Sequence, residues 1–336
     1  MRVIPKLPTL SLALTVLAGC ADGPPAPTGA DAAPPEATLS LTDATTGTEI
    51  ELRRPKVDVT DWTDESTTVP VHLVTPEAAR NIGPGSAIII TIPDEGRFGC
   101  TANFVWRQGS KLYLGAAGHC FLPGDKKATH GAGADYDASG VTVQVCVENC
   151  EGNFRTALLV GKLVTLGKVA YARQTDPTGT EDVGNDFGVV EIPREAASLV
   201  RPEMPVWGGP RGVDVLEAGE FGCHYGNGLV FGETFLTKAR VGVGGGSDED
   251  FWMGDFAGSF GDSGSALNGC ESDGLGFHGT GAVGVLTHLG LAVCPCDVNF
   301  KHLWVKAEHG VFFGTTVRRA KEMATEAGLN LSIVEP

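Results

Sequence analysis

Gly261-Asp262-Ser263-Gly264-Ser265 sets two glycines around an aspartate and a serine. A serine hydroxyl is a weak nucleophile until a neighbouring base takes its proton. Gly261 and Gly264 leave room for a sharp turn and a close approach of substrate. In such a turn the amides of Gly261 and Ser263 can point at one spot, where two donors would stabilise a developing oxyanion. Asp262 would hold the turn rigid if its carboxylate lay against a buried cation. The same residue types also build plain surface turns, so the run needs partners elsewhere in the chain.

Two such partners lie upstream. Gly115-Ala116-Ala117-Gly118-His119-Cys120 follows the apolar strand Leu112-Tyr113-Leu114, and its small residues would let a strand end pack closely beneath a reaction site. His119 would take the serine proton and return it to a leaving group; the alternative is a structural histidine beside a disulfide. In Asn185-Asp186-Phe187-Gly188-Val189-Val190, Asp186 abuts an apolar strand, where a carboxylate could accept the histidine N–H and fix its tautomer. Asp182 and Asp176 are the competing acids.

The chain order of histidine, aspartate and serine, with Gly99-Cys100-Thr101, Ala116-Ala117-Gly118-His119-Cys120, Asn185-Asp186-Phe187-Gly188-Val189 and Gly261-Asp262-Ser263-Gly264-Ser265-Ala266, resembles the bacterial chymotrypsin-like (trypsin-fold) serine proteases. The likeness runs over roughly residues 82–330 but is carried by these short motifs. It implies an all-β fold of two Greek-key six-stranded β-barrels with the active site in the cleft between them, followed by a C-terminal α-helix. The first barrel would cover about 82–205, the second about 206–313 and the helix about 315–328. It implies a triad of His119, Asp186 and Ser263, an oxyanion hole from the amides of Gly261 and Ser263, and a bridge between Cys223 and Cys270. Thr315-Thr316 would cap the helix and Gly328 would stop it.

The sequence also departs from the family pattern. The residue at the base of the primary specificity pocket, acidic in trypsin, is here Ala257, so a buried Lys or Arg side chain would lack a countercharge. Gly281–Leu286 resembles the strand that pairs with extended substrate, which places Gly284 at the pocket wall. His288 reads as a loop histidine, with contact to an acidic substrate side chain as the alternative. Arg80-Asn81-Ile82-Gly83 only faintly resembles an activation site. Either cleavage before Ile82 frees an amine for Asp262, or an internal arginine pairs with Asp262 and no cut is needed.

Cys100 and Cys120 flank a hairpin-like stretch, Thr101–Val105 and Leu112–Ala116 with Gly109-Ser110 at the turn, and a bridge between them would pin His119. Cys146, Cys150, Cys294 and Cys296 would pair locally (146–150 with 294–296) or across. Metal binding is the competing use of these cysteines, but paired Cys-x-x-Cys modules are missing and His130, His288 and His302 have no ligand-like spacing to them. We therefore expect no metal and no cofactor. Asp248-Glu249-Asp250 reads as a solvated loop.

Arg2, Lys6, the apolar stretch Leu7 to Leu17 and the closing Leu17-Ala18-Gly19-Cys20 read as a secretory signal over residues 1–19. The ending resembles a bacterial lipobox, after which Cys20 would carry lipid. Residues 20–38, rich in Pro, Ala and Gly, read as a flexible tether, and 39–81 as an N-terminal arm, propeptide or extra strands. The protease domain would span 82–336. A net charge of −16 argues against nucleic acid or anionic membrane surfaces as partners, leaving the Cys20 lipid as the only membrane link. The reading is thus an exported cell-surface lipoprotein or secreted protein acting on polypeptides. A catalytically silent binding protein on the same fold is the alternative. An α/β-hydrolase is disfavoured, because Gly-x-Ser-x-Gly fails at Ser265 and the residues that follow are strand-like where a helix is needed.

Overall fold

Short Val/Ile/Leu runs broken by glycine fold as β-strands, as the composition suggests. The structure, a computed structural model, describes residues 38–42, 49–53, 68–70, 82–131, 133–153, 158–177, 182–227, 237–258, 261–272, 277–289 and 308–336. Cys20, Cys294, Cys296, His302, the signal, the tether and most of the arm lie outside them. Within the arm, β1 (Thr38–Thr42) and β2 (Glu49–Arg53) pair antiparallel, and β3 (Thr68–Pro70) is a third short strand.

The first half runs through β4 (Ala87–Ile92), β5 (Gly96–Thr101), β6 (Val105–Gln108), β7 (Lys111–Ala116), β8 (Thr142–Asn153), β9 (Leu158–Thr165), β10 (Val169–Gln174) and β11 (Asp186–Ile192). Its ladders form two sheets, β5-β4-β8-β9 and β10-β11-β7-β6. Ile88, Ile90, Val143 and Val145 from one sheet meet Val105, Leu114, Ala172 and Val190 from the other in a single buried core. The β6–β7 hairpin turns at Gly109-Ser110, with Gly109 at φ +59°. The expected hairpin strand over Thr101–Val105 is corrected: Thr101 ends β5, paired with Ala87, and β6 starts only at Val105. That leaves Thr101 free to face the second half.

The second half contains β12 (Phe221–Tyr225), β13 (Thr237–Ser247), β14 (Phe251–Gly258), β15 (Ala266–Ser272), β16 (Phe277–Leu289) and β17 (Glu308–Thr316). These close into a six-stranded antiparallel barrel in the order β12-β15-β16-β17-β14-β13 and back to β12. β3 of the arm adds to β13, pairing Val69 with Ala239 and Thr68 with Arg240. The architecture is thus mostly β and consistent with the two-barrel chymotrypsin fold.

The helix α1 (Val317–Glu326) begins where expected: Thr316 Oγ1 accepts the Arg319 amide at 3.1 Å, and Val317, Ala320, Met323 and Ala324 are buried. They join a cluster with Trp106, Tyr171 and Phe187 of the first half and Tyr225, Val241 and Ala266 of the second. Burial of this kind, roughly 25 cal/mol per Å² of apolar surface, holds the two halves face to face. After Gly328 (φ +83°) the chain turns back, and β18 (Ser332–Ile333) pairs with β6.

Candidate active site

Gly188, Val189 and Val190 of β11 pair with Ala116, Gly115 and Leu114 of β7, which brings the start of one strand beside the end of the other. Asp186 opens β11, and His119 lies in the single turn Gly118–Cys120 just beyond β7. Gly118 is required here: a Cβ would overlap the Arg173 carbonyl of β10. The Cys100–Cys120 bridge fixes the far side of the turn.

His119 Nδ1 lies 2.7 Å from Asp186 Oδ2, and the His119 amide donates to Oδ1 of the same carboxylate at 3.0 Å. Gln174 Nε2 donates to Oδ2 at 3.2 Å. Thr315 Oγ1 donates to the Asp186 carbonyl at 2.9 Å and lies 3.1 Å from its amide. The carboxylate is 1% exposed, the imidazole 28%. Burial works against the imidazolium, but the Asp186 charge and hydrogen bond outweigh it and hold the His119 pKa above its usual value. Burial likewise works against the Asp186 carboxylate. The His119 charge and hydrogen bond, with the His288 charge and the His119 amide, still hold it below the usual range. With Nδ1–H given to Asp186, Nε2 is left as the acceptor nitrogen of the ring.

Ser263 lies on the turn between β14 and β15 and is half-buried. Gly261 at φ +99° and Gly264 at φ +91° occupy backbone conformations that other residues rarely adopt, which is what the two glycines supply. A Cβ on Gly264 would overlap the Thr101 carbonyl and lie 2.8 Å from the Ala117 amide. The Ser263 carbonyl is 3.8 Å from Cys120 Sγ, one residue past His119, and accepts the Thr101 amide at 2.9 Å. The structure therefore brings the turn carrying Ser263 against the turn carrying His119. Among the described residues, the Gly261 and Ser263 amides donate to no protein acceptor.

Asp262 is fully buried and bonded to Arg240 of β13, also fully buried. Of the two ways of holding Asp262, the structure has the internal arginine. Ile82 is itself buried, its amide donating to the Leu199 carbonyl at 2.9 Å. A lone arginine in the run Ala239-Arg240-Val241-Gly242-Val243 was the sequence signal for this buried cation. Thr101, Gln174 and Thr315 carry no such signal, because their roles depend on neighbours far away in the chain.

The competing acids do other work. Asp176 accepts the Asp182 amide at 3.0 Å, and Asp182 bonds Thr175 and Asn185. His288 is tied at both ring nitrogens, to Thr287 Oγ1 at 2.8 Å and to the Asp176 carbonyl at 2.8 Å. Ala257 sits in β14, paired with His309 of β17. Gly284 faces Trp252 and Thr315, which occupy the space a side chain would need. Cys223 and Cys270 are bridged, and Cys146 is in a disulfide. Asp248 Oδ1 accepts the amides of Asp250 and Phe251, as a loop aspartate does. Cys100, His119 and Cys120 cluster within 4.8 Å, but both sulfurs are consumed by their bridge and His119 Nδ1 by Asp186, so the group does not fit a metal.

No family model matches the sequence, and no curated protein does. Solved structures similar in fold include proteases. Protease A of Thermobifida fusca is 17% identical, with 76% of this chain and 99% of that chain covered, at a TM-score of 0.42. The thermostable serine protease AL20 from an extremophilic microorganism is 12% identical, covering 74% and 99%, at 0.42. The Nocardiopsis protease NAPase is 18% identical, covering 75% and 98%, at 0.41. Likeness at this level does not bear on the reaction.

Proposed function

We propose that this chain is an exported serine endopeptidase working through His119, Asp186 and Ser263. One observation carries the reading: the 2.7 Å contact of His119 with the buried Asp186 carboxylate, beside a turn that presents Ser263 between two glycines at positive φ. Nε2 of His119 takes the Ser263 proton as Oγ attacks a peptide carbonyl. Asp186 holds the tautomer and stabilises the imidazolium that forms. The amides of Gly261 and Ser263 receive the oxyanion, a role worth about 3–4 kcal/mol per donor by analogy with other hydrolases. His119 then protonates the leaving amine, and water releases the acyl group by the reverse path. No cofactor enters this route.

Ala257 supplies no buried anion, so the P1 preference is for non-basic residues. In β16, Gly284 pairs with Leu267 of β15 and Thr316 of β17, so the stretch expected to take extended substrate has both edges occupied there. The Cys100–Cys120 and Cys223–Cys270 bridges fit an oxidising compartment. Signal cleavage before Cys20 with lipid on its thiol completes the proposal. Intact-mass measurement of the membrane-fraction protein tests it, an unlipidated Cys20 removing the anchor.

The test of the activity is covalent labelling by a fluorophosphonate. Wild type should label at one serine and Ser263→Ala should not. Replacing Ser263 or His119 should cost around a million-fold in turnover. A folded wild-type chain that neither labels nor cleaves any member of a peptide library would overturn the reading in favour of a silent binding protein.

A further inference from the structure

Thr101 has no place in the triad, yet it bonds the serine turn at both Gly261 and Ser263. It is fully buried at the end of β5, next to the bridged Cys100. Its Oγ1 donates to the Gly261 carbonyl at 2.8 Å and accepts the Asn227 amide at 2.8 Å. Its amide donates to the Ser263 carbonyl at 2.9 Å. A hydroxyl has one proton. With Asn227 N–H occupying a lone pair, that proton is directed to Gly261. The Asn227 side chain in turn donates to the Gly85 carbonyl at 2.7 Å, so the hydroxyl is held by a segment that is itself anchored.

We propose that Thr101 is a positioning residue that aims the oxyanion amides. The inference rests on the acyl-transfer reading of Ser263. Each peptide group is a rigid plane. Pinning the carbonyls of Gly261 and Ser263 fixes the 261–262 and 263–264 planes; the plane carrying the Ser263 amide lies between them, its Asp262 carbonyl accepting the Ser265 amide at 2.9 Å, and the plane carrying the Gly261 amide adjoins the first at one Cα. Arg240 holds Asp262 from the second half, so the turn is gripped from both sides. The hydroxyl clamp matters because Gly261 has no side chain to resist rotation at its positive φ.

Thr101→Val keeps the shape and removes the hydroxyl; Thr101→Ser restores it. Both are made in the full chain and assayed on a fluorogenic peptide that wild type cleaves. Thr101→Val should lower kcat by about a hundredfold with KM little changed, the size expected for misplaced catalytic groups. It should weaken inhibition by a peptide aldehyde, whose tetrahedral adduct uses the same amides, by a similar factor. The acid limb of the pH profile should stay in place, because His119 and Asp186 are untouched. Thr101→Ser should return kcat to near wild type. If Thr101→Val fails to fold, Thr101→Ala carries the same comparison. A folded hydroxyl-less variant with wild-type kcat and aldehyde affinity, or a loss that Thr101→Ser does not repair, would overturn the positioning role alone. An inert wild type would instead remove the protease reading, and this inference with it.

Discussion

Arg240 and Asp262 form an ion pair with neither side chain exposed, one residue before Ser263. Two charges out of water are tolerated only when each satisfies the other, and removing one partner typically costs about 3–5 kcal/mol. Arg240→Met should therefore lower stability by that order, read as a fall in the midpoint of urea unfolding. It should also abolish fluorophosphonate labelling at temperatures where the domain remains folded. Adding Asp262→Asn to Arg240→Met should recover most of the stability, since no uncompensated charge remains. Equal stability of wild type and Arg240→Met would mean that the pair is not buried as described.

Asp186→Asn tests the acid. The amide keeps the shape but stabilises the wrong imidazole tautomer, with an expected loss of about ten-thousand-fold in kcat. Asp182→Asn should keep activity within an order of magnitude, because Asp182 bonds Thr175 and Asn185 rather than His119. The reverse result, activity lost at Asp182 and kept at Asp186, would reassign the acid.

The pH dependence follows from the same pair. Catalysis needs neutral His119, so kcat/KM should rise with pH through an acid limb lying above the usual histidine value, since Asp186 raises the His119 pKa. In Asp186→Asn the raising causes disappear while burial remains, and the residual limb should move below the usual value. Stability runs with the opposite sign for the two groups. The raised His119 contributes fully below an unfolded pKa of about 6.5 and loses its contribution as pH rises through the folded value. The lowered Asp186 contributes fully above about 3.9 and loses it as pH falls through its own folded value. The pair thus stabilises the fold most between roughly pH 4 and 6.5, and Asp186→Asn should flatten the stability profile across that window.

The parts of the site that sequence discloses are those whose chemistry is local. Gly-Asp-Ser-Gly carries its own turn conformation, and Asp186 carries its strand, Phe187 to Ile192. The Thr315-Thr316 cap and Gly328 stop bracket the helix to within a residue or two. What stays hidden is set by neighbours distant in the chain. The Thr101 hydroxyl reaches Gly261 across 160 residues and Thr315 reaches Asp186 across 129. The split of the first half into two sheets, and the return of β18 to β6, depend on pairings too short to leave a pattern.

Arg319 supplies the last prediction. From α1 it reaches the Asn185 side-chain oxygen with Nη2 at 2.6 Å and Nε at 3.0 Å, on the residue preceding Asp186. Its side chain is only 17% exposed and also lies 3.7 Å from Asp250. The C-terminal helix thereby braces the turn that delivers the acid. A planar two-point grip is not reproduced by a lysine, so Arg319→Lys and Arg319→Met should both loosen that turn. Hydrogen bonds from charged donors contribute about 1.5–3 kcal/mol, and unfolding midpoints should fall accordingly. The acid limb should also drift toward the usual histidine value as Asp186 loses its fixed place beside His119. A fall in stability with an unmoved acid limb would confine Arg319 to packing the helix, while a shift that Arg319→Lys shares with Arg319→Met would place it in the support of the acid.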